Sequence, residues 1–374
     1  MERLQEVRGS AAGGSRVSRR AFLAGAVGTA VLPWGLAACL TADDSGASVH
    51  PALVPPRDAV RLALLDLPDP ATRASVVVAL ARRAREQSAR TPTTIGLGAA
   101  ALEGVPAAQR PRALRPMTPF PGDVLDPGRT DAALAVQVEG DDAAAADDGL
   151  SRLLDGVQGV RVAWSAAGHR AANQVRDGRA LTRNPFGFTE GMANPDGRDR
   201  RHVDDVALVP AGAGEPAWTV GGTYLALRVI RLARELWDAD SVEVQERLVG
   251  RRRDGAWLDG APASADPDFA RDPEGKLTPL DAHVRRANPR TAGTPPPRLV
   301  RRSWAYVEDG PGGVREDGLL FHCYQADLET GFLPVQRRLV GQAMDRYLLT
   351  VGGGYYLVPA MTSAGRPWED ALFA

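Results

Sequence analysis

The feature that most constrains this chain of 374 residues is an order of apolar patterns that occurs twice. Arg61–Asp66 reads as a strand, about Pro70 to Arg85 as an amphipathic helix and Thr94–Leu97 as a strand. Ala132–Val138 alternates as a strand, Asp142–Leu154 is a helix with Asp142 as its cap, and Val160–Trp164 is again strand-like. That order is βαββαβ, the ferredoxin-like arrangement. Beyond a Gly- and Pro-rich stretch from Asn184 to Pro216 the order returns. Thr223–Ile230 is a strand, Ser241 caps a helix to about Leu248, and Arg302–Val307 and Gly318–Tyr324 are strands. Leu333–Tyr347 has helical spacing and Tyr355–Val358 closes the set. The expectation is an α+β fold of duplicated ferredoxin-like domains with antiparallel sheets packed sheet to sheet, the first over 57–200 and the second over 201–374. Between helix and strands of the second half lies a long irregular segment, Arg251–Pro297, of a kind that compact domains keep for a function. It contains His283.

Composition excludes some functions. With 45 basic against 46 acidic residues, and Lys276 the only lysine, there is no surplus of positive charge to neutralise phosphates, so no nucleic-acid partner is expected. The two cysteines, Cys39 and Cys323, provide neither a disulfide framework nor a cysteine metal site. Cys323 stands in an apolar run and reads as a packed thiol.

The first 38 residues read as a processing segment: a polar, Arg-bearing stretch ending in Ser18-Arg-Arg-Ala-Phe-Leu23, then an apolar region closing at Leu36-Ala-Ala-Cys39. Arg19 and Arg20 resemble a twin-arginine export signal, whose machinery moves proteins already folded around a cofactor. A transmembrane anchor is the competing reading, against which stand Gly25, Gly28, Pro33 and Gly35 in a stretch barely long enough to span. Leu36–Cys39 resembles a lipobox, which would put a lipid anchor on Cys39; an ordinary small-residue cleavage site is the alternative. Residues 39–56 then read as a tether, and the protein is expected to be extracytoplasmic.

Four segments carry a resemblance. Asn184-Pro-Phe-Gly-Phe-Thr-Glu-Gly-Met-Ala-Asn-Pro195, Glu215-Pro-Ala-Trp-Thr-Val-Gly-Gly-Thr-Tyr224, Asp281-Ala-His-Val-Arg-Arg-Ala-Asn-Pro-Arg290 and Gly318–Leu339 resemble, in order, the signature segments of dye-decolorizing haem peroxidases. The nearest branch is the exported deferrochelatase/peroxidase of bacterial iron uptake. The resemblance covers about Met117 to Pro359 and implies the dimeric α+β barrel-like superfamily, with haem b held by the C-terminal domain. It implies a peroxidase that reduces hydrogen peroxide and oxidises a dye-like aromatic, ferrous iron or a porphyrin. Iron-uptake membrane components and a homodimer are the implied partners.

Position by position, the resemblance makes His283 the iron ligand, a role that suits a neutral imidazole. Gly191, Met192, Ala193, Asn288, Pro289 and Arg290 match haem-contacting positions, with Arg290 able to reach a propionate. Arg301, eighteen residues after His283, matches the distal arginine, whose fixed cation favours hydroperoxide and the charge on a departing oxygen. Arg302 reads as a surface or strand residue, although sequence alone allows the two to exchange roles. Glu190 departs from the family's G-x-x-D-G: the chain reads Gly187-Phe-Thr-Glu-Gly191, keeping a carboxylate for acid/base work one methylene further out. A solvent-facing or turn-capping Glu190 is the competing reading, and a haem-delivery lipoprotein with little turnover is the competing function.

Around the site, Asp327 is a candidate partner for the imidazole of His283. Phe321 and Phe332 read equally as pocket walls or core. His50, His169, His202 and His322 read as structural or solvent-facing, and Trp237, Trp257, Trp304 and Tyr306 as exposed residues able to relay electrons.

Overall fold

The computed structural model describes residues 50–176, 179–361 and 366–373. Arg19, Arg20 and Cys39, and with them the expected signal and lipid anchor, lie outside the described residues. The first half runs β1 (Ala59–Asp66), α1 (Arg73–Gln87), β2 (Thr93–Leu97), β3 (Leu134–Gly140), α2 (Ala143–Leu154) and β4 (Arg161–His169). Asp142 caps α2, its carboxylate accepting from Ala145 N at 2.8 Å. A small sheet of β5 (Gln174–Arg176), β6 (Arg179–Arg183) and β7 (Thr189–Glu190) follows, then α3 (Arg200–Ala207). The second half runs β8 (Thr223–Leu232), α4 (Arg234–Ala239), α5 (Val242–Val249), α6 (His283–Ala287), β9 (Val300–Asp309), β10 (Arg315–Gln325), α7 (Phe332–Leu339), β11 (Leu348–Val358) and α8 (Trp368–Leu372).

Each half forms an antiparallel four-stranded sheet of the same order, β4-β1-β3-β2 and β9-β10-β8-β11. The expected sheet-to-sheet packing of the two halves takes the form of a barrel. The sheets join edge to edge, through Leu97 opposite Leu357 and through Gly168 and His169 opposite Tyr306 and Ala305, and close one eight-stranded barrel. Closure removes four edges that would otherwise present unpaired backbone groups.

Period-two alternation then divides the core. On β1, Val60, Leu62 and Leu64 point into the barrel with Leu225, Leu227, Trp304 and Tyr324, whereas Ala63 and Leu65 face outward against α1 and α2. The outer cluster also takes Phe332 and, at its margin, Phe321, so both belong to the helix-covered core. The expected helix Leu333–Tyr347 breaks: α7 stops at Leu339, Gly341 adopts φ 73°, and a separate 3-10 turn covers Ala343–Tyr347. The end of the expected tether is docked. His50 Nε2 bonds Pro359 O at 3.1 Å, Ala52 is fully buried, and Arg57 N donates to Glu139 Oε2 at 2.8 Å.

Candidate active site

The sequence motifs converge where three pieces of chain meet: the β6–β7 hairpin, the outer face of β9 and the irregular segment 251–297. The hairpin pairs Thr182 with Glu190 and Arg183 with Thr189. Its turn is closed by Asn184, whose Oδ1 accepts from Phe188 N at 3.0 Å, with Gly187 at φ 84°. Phe186 stacks on Trp237 at 4.3 Å and Phe188 meets the same ring edge-on at 6.0 Å, so the aromatic residues of this motif anchor the hairpin.

Past Glu190 the backbone turns through Gly191 at φ 90°, a conformation that favours glycine. Arg179 grips this turn, donating to the carbonyls of Met192 (3.0 Å), Gly191 (3.0 Å) and Asn194 (2.7 Å). Asn194 acts as a strand partner for Arg301: its Oδ1 accepts from Arg301 N at 3.0 Å and its Nδ2 donates to Arg301 O at 2.7 Å. Ser303 Oγ donates to Glu190 Oε1 at 2.6 Å. Glu190 therefore stands over the outer face of β9, held by the residue two positions beyond Arg301.

Arg301 and Arg302 have separate fates because alternate strand residues face opposite sides. Arg302 turns inward, only 4% exposed, and pairs with Glu139 at 2.8 Å; it is a strand residue but not a surface one. The Arg301 guanidinium has no hydrogen-bond or ion-pair partner among the described residues.

His283 opens α6, and the long segment around it is organised rather than loose. Asp272 accepts from the backbone N–H groups of Lys276, Leu277 and Thr278 and pairs with buried Arg285 at 3.0 Å. Despite burial, which opposes it, these bonds and the Arg285 charge hold the Asp272 carboxyl below its usual range. Trp257 packs under Arg251 at 3.6 Å and against Phe269, and donates to Ala265 O at 2.8 Å. Two arginines clamp α6 to α7: Arg286 donates to the carbonyls of Arg338, Val340 and Gly341, and Arg338 donates to Ala287 O. The clamp brings Gln342 to His283, whose Nδ1–H donates to Gln342 Oε1 at 2.8 Å. That bond fixes the tautomer and leaves the Nε2 lone pair free, as a metal ligand requires. Burial holds the imidazole below its ordinary pKa; Gln342 opposes this and Arg301 adds to it, so the ring is neutral at pH 7. Asp327 is not the partner of His283; it closes a local turn by accepting from Glu329 N at 2.7 Å.

Asn288 ends α6 and Arg290 adopts φ 54°, its Nε bonded to exposed Asp266 at 2.6 Å. Burial, with Arg290 and Arg301 nearby, pushes the Arg251 pKa down to about 10. Three guanidinium groups thus share one region, a setting for a carboxylate-bearing cofactor. Met192 lies toward Gly255 of the same segment, and Ala193 and Pro289 stand in the two loops beside it. Ser303, Gln342, Arg179, Asn194 and Arg251 were not among the sequence candidates. Asn194 stood in a quoted motif, but nothing local marked Gln342, 59 residues from its partner.

Other expectations need correction. Trp237, Trp257, Trp304 and Tyr306 are all buried, at most 2% exposed, so none is a surface relay. The four histidines outside the motif need no correction: His322 and His50 are buried in the structure and His169 and His202 face solvent, the two placements expected of them.

The sequence matches two family models, Dyp-type peroxidase N-terminal over residues 54–170 and Dyp-type peroxidase C-terminal over residues 181–363. The chain belongs to the Dyp-type peroxidase family. Among solved structures, the DyP-type peroxidase of Cellulomonas bogoriensis is 31% identical with a TM-score of 0.74, covering 86% of this chain and 94% of that one. Ferric DtpA of Streptomyces lividans is 29% identical with a TM-score of 0.74, covering 90% and 99%. Proteins named deferrochelatase from Escherichia coli (strain K12) and Yersinia pestis are each 37% identical over 71% of this chain. The chain spans 64% and 62% of those two relatives.

Proposed function

We propose that this Dyp-type chain is a haem b peroxidase that reduces hydrogen peroxide and oxidises a reductant. The observation that carries the reading is His283, neutral, fixed through Nδ1 by Gln342 and open at Nε2, with the unpaired Arg301 cation close enough to depress its pKa. His283 would ligate the iron, Arg290 and Arg251 would face the propionates, and the Gly191 turn would let backbone approach the ring. Haem supplies the oxidation by peroxide and its return in one-electron steps. The protein handles protons and charge. Glu190, steadied at Oε1 by Ser303, takes a proton from one peroxide oxygen and returns it to the other, and the Arg301 cation favours the hydroperoxide anion on that face.

The name deferrochelatase borne by the relatives favours a porphyrin as the molecule acted on; ferrous iron as reductant, a place in iron uptake, export as a folded holoprotein and an anchor at Cys39 rest on the sequence motifs alone, Ser18–Leu23 and Leu36–Cys39 for the last two. The test is stopped-flow absorption of the haem-loaded protein mixed with peroxide. Rapid formation of an oxidised haem spectrum, lost in Arg301→Ala and with ligation broken in His283→Ala, is the expected result. A normal haem spectrum inert to peroxide would leave a haem carrier.

A further inference from the structure

We propose that Arg170, together with Glu190, holds hydrogen peroxide at the inner end of an inlet beside the β4–β9 seam, an inference that rests on the peroxidase reading above. Arg170 follows β4 and continues its ladder with β1, its N–H donating to Asp58 O at 2.9 Å. Only Gly168 and His169 pair β4 with β9, so the strands part at the next residue and Arg170 stands in the gap. Its guanidinium lies 5.9 Å from the Trp304 ring, and Nη2 donates to Asn173 Oδ1 at 3.3 Å. Nε and Nη1 are shielded from solvent and have no acceptor among the described residues. Buried donors on a charged group are rarely left so, and the usual explanation is a small oxygen ligand.

The backbone shows where that ligand sits: Ala171, next along the chain from Arg170, accepts through its carbonyl from Thr182 Oγ1, and Thr182 is the residue paired with Glu190 across the β6–β7 hairpin. Burial lowers the Arg170 pKa and the Arg302 charge adds to it, while Glu190, foremost, and then Glu139 and Asp58 oppose it. Glu139 is already taken by Arg302 and Gln137. Glu190 has Oε1 bonded to Ser303 and Oε2 without a partner among the described residues, and it makes no ion pair with Arg170. A cation with two unused N–H groups and a carboxylate with one unused oxygen, near but not touching, are bridged by a molecule that both donates and accepts. Hydrogen peroxide does this: one O–H donates to Glu190 Oε2 and the other oxygen accepts from Arg170, with no bond broken. Water fills the place otherwise. On the outer side of the same residue a cavity of about 320 Å³, lined by Asp58, Asp141, Ala167, His169 and Arg170, opens to solvent. Arg170 thus stands between this cavity and the acid.

The experiment compares haem-loaded wild type, Arg170→Met and Arg170→Lys. The second-order rate with peroxide is expected to fall about tenfold or more in Arg170→Met and to recover in part in Arg170→Lys, through a raised KM for peroxide. At saturating peroxide kcat is expected to hold, and Tm to stay level or rise, because donors without an acceptor add no stability. A purely structural Arg170 would instead lower Tm and leave the peroxide rate of folded protein intact. Equal peroxide rates in wild type and Arg170→Met overturn the proposal. So does a crystal structure of the holoprotein in which the guanidinium turns onto a protein acceptor; an oxygen atom within about 3.2 Å of both Arg170 and Glu190 supports it. Wild-type holoprotein inert to peroxide sinks the peroxidase reading instead, and the crystal then decides Arg170.

Discussion

Replacing His322 by leucine should stabilise the protein and remove about half of an acid lability built into the barrel. The imidazole is 0% exposed, edge-on to Trp304 at 5.2 Å and alongside Tyr324 at 6.3 Å, and neither ring nitrogen makes a well-formed hydrogen bond among the described residues. Each buried polar atom left so costs on the order of 1–3 kcal/mol, and leucine has none, so a gain of about 1–3 kcal/mol at pH 7 is expected after the lost ring contacts are counted. Burial, with Arg302 adjacent, pushes the His322 pKa from 6.5 to about 3. Between those values the unfolded chain binds a proton that the folded protein refuses, so stability falls as pH falls through this window. At about pH 4.5, two units below 6.5 at about 1.36 kcal/mol per unit, His322 alone costs about 2.7 kcal/mol. His50, pushed to about 4 mainly by burial, adds a similar loss. Urea unfolding of wild type and His322→Leu at pH 7 and about pH 4.5 reads both effects, the common titration of carboxylates cancelling in the comparison. An identical pH dependence in the two proteins, or a variant less stable at pH 7, would refute the reasoning.

Gln342→Leu strands the Nδ1–H of His283 and should weaken haem binding about 10- to 100-fold in a titration of the haem-free protein, with Gln342→Glu restoring it. Asn194→Ala removes both bonds to the Arg301 backbone; the peroxide rate should fall about tenfold with haem content retained, and an unchanged rate would show that β9 places Arg301 unaided. Arg285→Met leaves Asp272 without its counter-ion and should destabilise the 251–297 segment by about 3–5 kcal/mol, seen as faster limited proteolysis within it. The loss should shrink in acid, because a carboxylate held below its usual range contributes least once pH falls through its titration.

Much of the fold was legible because it rests on alternation. The strands of both halves and the capped α2 and α5 announce themselves by period and cap residue. Edge-to-edge closure does not, since only three residue pairs make it and their spacing carries no local signal. The site was legible where motifs name residues and opaque where contacts are distant in sequence. Gln342 reaches His283 only because Arg286 and Arg338 clamp two helices. Arg302 looked exposed because its partner Glu139 lies 163 residues away. The aromatic residues assigned to the surface were misplaced for a related reason: Trp237 and Trp257 look like loop residues until the hairpin and the long segment are seen folded around them.

Strand β9 has a reading frame. Its odd positions, Arg301 and Ser303, serve the site, and its even positions, Arg302 and Trp304, serve the barrel interior. A slip of one residue would exchange the two sets, burying the unpaired cation and presenting the paired one outward, so that site and core would fail together. Insertions and deletions are therefore confined to the ends of this strand, such as the Gly310–Gly313 connection to β10, and lineages of this chain can vary β9 by substitution but not by length.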